Sequence, residues 1–312
     1  MSLDWIFLDH KGRTRSGWRA IFFVAMFLLA AVFIGSTIVL IGRYLEFDLS
    51  RPGGAMAATS SASLAAAVFA GWLSGKLLEG LPYRALGLSL VSGWIRNLLV
   101  GIALGAATLS LAVLVAMSFG GMSFARSDAD RFSVAQTAVT SLLIFAVAAA
   151  FEEVAFRGYL MQTFFRSRLT TFGIIFTSLL FATVHNGNPE ASWLSWLNTF
   201  LAGIWFAVAY LKTQSLWLPI GLHLSWNWVQ GALFGIEVSG LTELAPAPLL
   251  RESDQGPAWL TGGNYGVEAG VACTVALLVS TVAVFVIPGI RPPEERLEPA
   301  DSPREQLKPS VS

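Results

Sequence analysis

Residues 18–42, WRAIFFVAMFLLAAVFIGSTIVLIG, form an apolar run of 25 residues. An α-helix needs about 20 apolar residues to cross a hydrocarbon core roughly 30 Å thick. Seven further runs follow at 60–79, 94–118, 135–156, 170–186, 193–211, 215–235 and 267–288. In lipid a helix satisfies its own backbone N–H and C=O groups, so the runs predict an all-α polytopic membrane protein with about eight transmembrane helices. Composition agrees: 54% of the residues are hydrophobic and 13% charged, too apolar for a soluble domain that must clothe itself in polar surface. The first run is longer than a signal-peptide core and no persuasive small-residue cleavage site follows it, which predicts a retained helix.

Charge sets the expected orientation. With both ends of the chain on the cytoplasmic side, 14 of the 20 Lys and Arg residues fall in inner loops and tails, five in outer loops, and Arg157 at the inner end of a span. This is the bias of the positive-inside rule. Lys76, Arg84, Arg166, Arg168, Lys212 and Arg291 lie on the inner side, whereas Arg43, Arg51, Arg126 and Arg131 are exceptions. The organisation expected is a cytoplasmic tail over 1–17, N-terminal membrane helices over 18–134 and a helical core over 135–235. An outer loop over 236–266, a last membrane helix over 267–288 and a charged, Pro-rich cytoplasmic tail over 289–312 follow. The chain shows no internal repeat.

A zero formal net charge and a pI near 6.8 provide no dense basic surface, so no nucleic-acid partner is expected. The one cysteine, Cys273, cannot close an intrachain disulfide or build a multi-thiolate metal cage. No phosphate loop or nucleotide fingerprint is present.

Against this background the stretch AAAFEEVAFRGYL, residues 148–160, sets two adjacent carboxylates and an arginine inside an oily segment. A charge left unpaired at membrane depth costs roughly 2.5–3.5 kcal/mol on an insertion scale, so the cluster must face protein or water. Glu153 and Arg157 are four apart and predict an ion pair, leaving Glu152 about 100° around the helix to act on water or a substrate group. Packing, catalysis and transport of an ion or solute all remain open at this level.

Two of the three histidines occur in later apolar helices, His185 in FATVHN and His223 in GLHLSWN; His10 lies in the basic tail. Phe181 shares a face with His185, and Asn227 with His223, through i,i+4 spacing. Two imidazoles and a carboxamide brought toward Glu152 suit hydrolysis: a carboxylate takes a proton from water, an imidazole orients that water, and N–H groups receive the developing oxyanion. Glu152, His185 and His223 could equally supply a His/His/Glu set for a divalent metal such as zinc, although no His-Glu-x-x-His motif exists. Sequence leaves metal-dependent and metal-free water activation both open. Ser225 is two residues from His223 and points elsewhere on a helix, with no nucleophile elbow around it, which argues against a serine hydrolase.

The ordered trio EEVAFR (152–157), FATVH (181–185) and HLSWN (223–227) resembles the CAAX-protease and bacteriocin-processing family of intramembrane endopeptidases, also called CPBP or ABI. The resemblance covers about residues 135–235 and extends to GGNYGVEAG at 262–270. It implies a helical membrane enzyme that cleaves peptide bonds of a membrane-associated peptide or protein, in a bacterial cytoplasmic membrane. It further implies Glu152 as the water-activating carboxylate, His185 as its partner, His223 and Asn227 as the oxyanion pair, and Glu153, Arg157 and Phe181 as supports. A metal is implied by some descriptions of the family and not required by its motifs. The alternatives are a non-catalytic peptide-binding or bacteriocin-immunity membrane protein, or a small transporter.

Glu268 in YGVEAG is read as a helix-start or interface residue that could line the cavity, and Asn198 as a bridge between helices. Trp193, Trp196, Trp217, Trp226 and Trp228 bracket proposed membrane helices and read as interfacial anchors or packing surfaces.

Overall fold

The computed structural model describes residues 4–10, 12–46, 52–241, 243–290 and 292. Lys11, Arg51, Arg291 and most of the expected C-terminal tail lie outside the described residues. Within them the order is α1 (Asp4–Phe7), α2 (Ser16–Tyr44), α3 (Pro52–Glu79), α4 (Trp94–Ser118), β1 (Met122–Arg126), α5 (Arg131–Arg157) and α6 (Tyr159–Arg166). There follow α7 (Thr170–Val184), α8 (Trp193–Thr213), α9 (Trp217–Trp228), β2 (Leu250–Asp254), α10 (Ala258–Thr261) and α11 (Val271–Val286).

Every predicted apolar run contains a helix, and the chain is an all-α polytopic membrane protein. Among the described residues five stretches are long and apolar enough to cross a bilayer: α2, residues Gly53–Glu79 of α3, α4, the α5–α6 segment Arg131–Arg166, and α8. The other three, α7, α9 and α11, have 15, 12 and 16 residues. At 1.5 Å per residue these measure about 18–24 Å, so helix length by itself does not carry the expected count of eight crossings.

Local chemistry explains the short helices. Past His185 the chain enters a 3-10 turn, His185–Gly187, and Asn188 is extended, the conformation imposed by the following Pro189. Helix α9 tolerates Pro219 in its first turn, then widens into a π-helical turn over Val229–Leu233. Helix α11 starts only after Gly270, so the 267–288 run begins in a 3-10 turn and becomes α-helical at Val271.

Small residues let α4 and α9 approach closely. A Cβ on Gly101 would strike the Leu218 carbonyl, and one on Gly221 would strike the Leu98 carbonyl. This backbone-to-backbone seating fixes the depth of α9, and with it His223. Trp205 and Phe206 of α8, Leu218 and Leu222 of α9 and Leu277 of α11 fill the adjoining core. Ser225 donates to the Gly221 carbonyl at 2.9 Å, a structural use of its hydroxyl.

Two features had no counterpart in the hydropathy pattern. Helix α5 breaks at Gly158 (φ −71°, ψ −127°), where a Cβ would meet the Val154 carbonyl; Gln162 Nε2 satisfies the carbonyls of Arg157 and Leu86. Strands β1 and β2 pair antiparallel from Met122↔Asp254 to Arg126↔Leu250, which ties the long 236–266 connection to the α4–α5 link.

Candidate active site

Asp130 caps α5, its carboxylate accepting from the N–H groups of Phe132 and Ser133. The far end of the same helix presents Glu152, Glu153 and Arg157. The side chains of Glu153 and Arg157 are wholly buried, and Arg157 Nη1 donates to Glu153 Oε1 at 3.1 Å. Arg157 Nη2 donates to the Gly203 carbonyl at 3.3 Å, and the guanidinium lies 4.4 Å from the Phe181 ring centre and 5.1 Å from that of Phe206. A carboxylate, a carbonyl and two π-faces thus offset the desolvation of one cation. The predicted Glu153–Arg157 pair is present.

Glu153 Oε1 also lies 3.0 Å from His223 Nδ1, and the His223 ring stacks on Phe206 with centroids 4.8 Å apart. His185, at the C-terminal cap of α7 rather than inside it, has Nδ1 2.8 Å from the Phe181 carbonyl oxygen. Glu153 Oε1, which accepts from Arg157, and the Phe181 backbone carbonyl act as acceptors, so each Nδ1 is assigned the proton. Each Nε2 therefore turns toward Glu152, and both stand 3.7 Å from Glu152 Oε2. That oxygen is buried and has no hydrogen-bond partner among the described residues. A water placed about 2.8 Å from the oxygen and from one Nε2 would bridge them, a geometry that neither pair makes directly.

These groups line one cavity of ≈ 160 Å³, with Asn227 one turn beyond His223. At about 30 Å³ per molecule it holds several waters. Phe145, Phe181 and Leu244 supply apolar walls. All four residues predicted as catalytic reach the cavity, with Glu153 and Arg157 directly behind them. The one departure is in arrangement: His223 was expected with Asn227 across from a Glu152–His185 pair, whereas Glu152 stands equally far from both imidazoles.

For a divalent cation, the donor chemistry fits: two Nε2 lone pairs, each fixed through Nδ1 by an acceptor, face one carboxylate, the outer-shell pattern of metal-ligating histidines. The spacing is slightly wide. Bonds of about 2.0–2.1 Å in a tetrahedron put ligand atoms about 3.3 Å apart, against 3.7 Å here. In agreement, no group of three such side chains is close enough among the described residues to hold a metal ion as placed. A closure of a few tenths of an ångström would bring each Glu152–imidazole separation into range.

Glu268 is the second carboxylate on the cavity wall. Its Oε1 accepts from Trp226 Nε1 at 3.1 Å, and its Oε2 accepts from Ser239 N and Oγ at 2.6 and 2.8 Å. Asn198 donates to the carbonyls of Glu268 and Gly270 at 2.8 and 2.9 Å, the bridging role expected of it. Trp226 is buried, which is the packing role of the two expected for it. Sequence reasoning missed Ser239, Val238 and Leu241, which close the cavity from the long connection. Nothing in hydropathy marks loop residues that fold back onto a helix bundle.

Residues 134–229 match the family described as type II CAAX prenyl endopeptidase Rce1-like. The matched segment contains all three motifs, and the family resemblance read from them is borne out there. An Escherichia coli protein described as an uncharacterized 24.3 kDa protein is 36% identical over 106 residues, covering 33% of this chain and 47% of the relative. The chain therefore spans about half the length of that relative. Over this segment the helical core is similar to the CAAX-type prenyl endopeptidase family.

Proposed function

We propose that the protein is an intramembrane endopeptidase that hydrolyses a peptide bond of a membrane-associated protein or peptide by glutamate-directed water. One observation carries this reading: Glu152 Oε2 is buried, unpartnered and equidistant from two Nε2 atoms whose opposite ring nitrogens are already engaged. Oε2 of Glu153 is also buried without a partner, so it is the pair of Nε2 atoms beside Glu152 that carries the reading.

In the proposed cycle a water donates one hydrogen to Glu152 Oε2 and the other to His185 Nε2, which aims its lone pair at the substrate carbonyl. Glu152 takes the proton as the C–O bond forms. The carbonyl oxygen, now negative, accepts from the Asn227 amide and from His223, which in this metal-free cycle carries a proton on each ring nitrogen, Nδ1–H to Glu153 and Nε2–H to the oxyanion. Glu152 then returns the proton to the amide nitrogen as the C–N bond breaks, so that one water is consumed and one amine and one carboxylate leave. Arg157 and Phe181 hold Glu153, His223 and His185 in place and touch no reacting atom. Were a divalent cation resident, Glu152, His185 and His223 would hold it, and it would supply Lewis-acid polarisation of the water.

The cavity is lined by residues of the proposed 135–235 core together with Met56, Glu268, Cys273 and Leu277, with Val238, Ser239 and Leu241 of the 236–266 connection closing it, and both chain ends are assigned to the cytoplasmic side by the Lys and Arg bias. The test is incubation of the purified protein with a panel of membrane-anchored peptides, read by mass spectrometry of the products. Cleavage at a defined bond that disappears in His185→Ala supports the reading. Saturable binding without cleavage across the panel overturns it in favour of a peptide-binding protein.

A further inference from the structure

At the end of the bundle where α2 begins, α6 ends and α7 begins, a second cleft of ≈ 780 Å³ is lined by Arg13, Arg15, Arg166 and Arg168. It shares no lining residue with the Glu152 cavity. One wall is a folded N-terminal hairpin: Leu8 and Thr14 bridge antiparallel, and Arg15 Nε donates to the Leu8 carbonyl at 2.9 Å. Trp18 Nε1 donates to the Ile6 carbonyl at 3.0 Å, and the Phe7 and Trp18 rings stand 5.0 Å apart.

The charges do not cancel. Asp9 pairs with Arg13 at 2.8 Å, and Glu79 serves both Arg166 and Arg19. Arg15 and Arg168 have no carboxylate partner among the described residues, and Arg15 keeps both Nη groups clear of its one backbone bond. Ser16 and Gly17, in the uncapped first turn of α2, line the same cleft and bring unsatisfied N–H groups to it. Guanidinium forks and helix-terminal N–H groups are the donors that recognise a phosphate.

Besides Asp9, His10, Thr14 and Ser167, the lining carries the apolar Trp18 and Ile21, and exposed apolar surface continues from it. Trp5 is 67% exposed and Ile21, a lining residue, 58%. Ile21 begins the lipid-facing side of α2 that continues through Leu28, Leu29, Val32 and Phe33. A free phosphate would use the basic half of this surface and leave the apolar half uncovered. We propose that the cleft is a binding site for the phosphate headgroup of an anionic phospholipid, whose acyl chains run along α2.

The experiment is native mass spectrometry of the full-length protein in neutral detergent with equal amounts of phosphatidylglycerol and phosphatidylcholine. Preferential phosphatidylglycerol adducts are expected. Each arginine removed should weaken them about fivefold, the factor equivalent to about 1 kcal/mol per basic residue at a membrane surface. Arg168→Gln should therefore lose about fivefold and Arg15→Gln/Arg168→Gln more, whereas Arg84→Gln and Lys212→Gln, outside the cleft, should change nothing. Both cleft arginines are exposed; Arg15 also ties the hairpin through Leu8, so Arg168→Gln alone reads the headgroup contact without disturbing that wall. No preference for phosphatidylglycerol, or a preference unchanged in the double variant, overturns the site. Displacement of the lipid by equimolar glycerol phosphate overturns the lipid assignment in favour of a soluble phosphate ligand.

Discussion

His223 Nδ1 lies 3.0 Å from Oε1 of Glu153, a carboxylate whose side chain has no exposure to solvent. The same oxygen receives Arg157 at 3.1 Å, so one buried carboxylate serves a cation and an imidazole at once. This fixes the tautomer of His223 and turns its Nε2 into the cavity. In the proposed mechanism Glu153 is therefore a positioning residue; Oε2 of each glutamate lacks a hydrogen-bond partner among the described residues, and that of Glu152 is the one set beside both imidazole Nε2 atoms.

Replacing Glu153 by Gln should strand Arg157 in the interior. Breaking a buried pair from one side costs about 3–5 kcal/mol. A large fall in the unfolding midpoint of the detergent-solubilised protein is expected. Glu153→Gln/Arg157→Met removes both charges and should recover part of that stability, while activity stays low because His223 has lost its carboxylate. Equal stability of the single variant and the parent would show that the pair does not hold the core.

Gly221→Ala sets a methyl group against the Leu98 carbonyl and should push α9 away from α4. Overpacking of this kind costs about 1–3 kcal/mol. Because His223 rides on α9, activity should fall with stability, and the check is parallel measurement of turnover and thermal unfolding.

Outside the membrane helices, burial and the nearby carboxylates of Glu237 and Asp254 push the Glu252 carboxyl up to about 8. The folded protein therefore holds this proton more tightly than the unfolded chain. The associated stability is present below about pH 4.5 and is lost as pH rises through about 8. Hydrogen-exchange protection of the β1–β2 ribbon, corrected for intrinsic rates, should fall across that window in the parent and stay flat in Glu252→Gln. A parent profile as flat as the variant's would remove Glu252 as the cause.

Cysteines introduced into the N-terminal tail and into residues 289–312 should label from the same, cytoplasmic side. The native Cys273 is buried and should not interfere. Labelling from opposite sides requires an odd number of crossings and ends the eight-span arrangement, a question sharpened by the shortness of α7, α9 and α11.

Much of the site was legible because helical periodicity converts spacing into direction. The i,i+4 pairs Glu153–Arg157, Phe181–His185 and His223–Asn227 each lie as the spacing requires. The apolar runs located the helices because burial in lipid or protein selects the same residue types. What escaped was set by contacts distant in sequence. Gly158 breaks a helix that hydropathy alone continues, and His185 leaves α7 for a 3-10 turn because Pro189 follows closely. The pairing of β1 with β2 joins strands more than 100 residues apart, and Ser239 reaches Glu268 only after the long connection folds back. None of these depends on a local pattern.

The most direct test of the account is the turnover of purified Glu152→Gln, shown to be folded by an unchanged unfolding midpoint, on a peptide that the parent cleaves. Gln keeps the shape of the side chain and removes its basicity. General-base catalysis is worth about 10²–10⁴ in rate, so kcat should fall by at least a hundredfold with KM little changed. Parent-like turnover in this variant would contradict the assignment of Glu152 as the group that takes the proton from water.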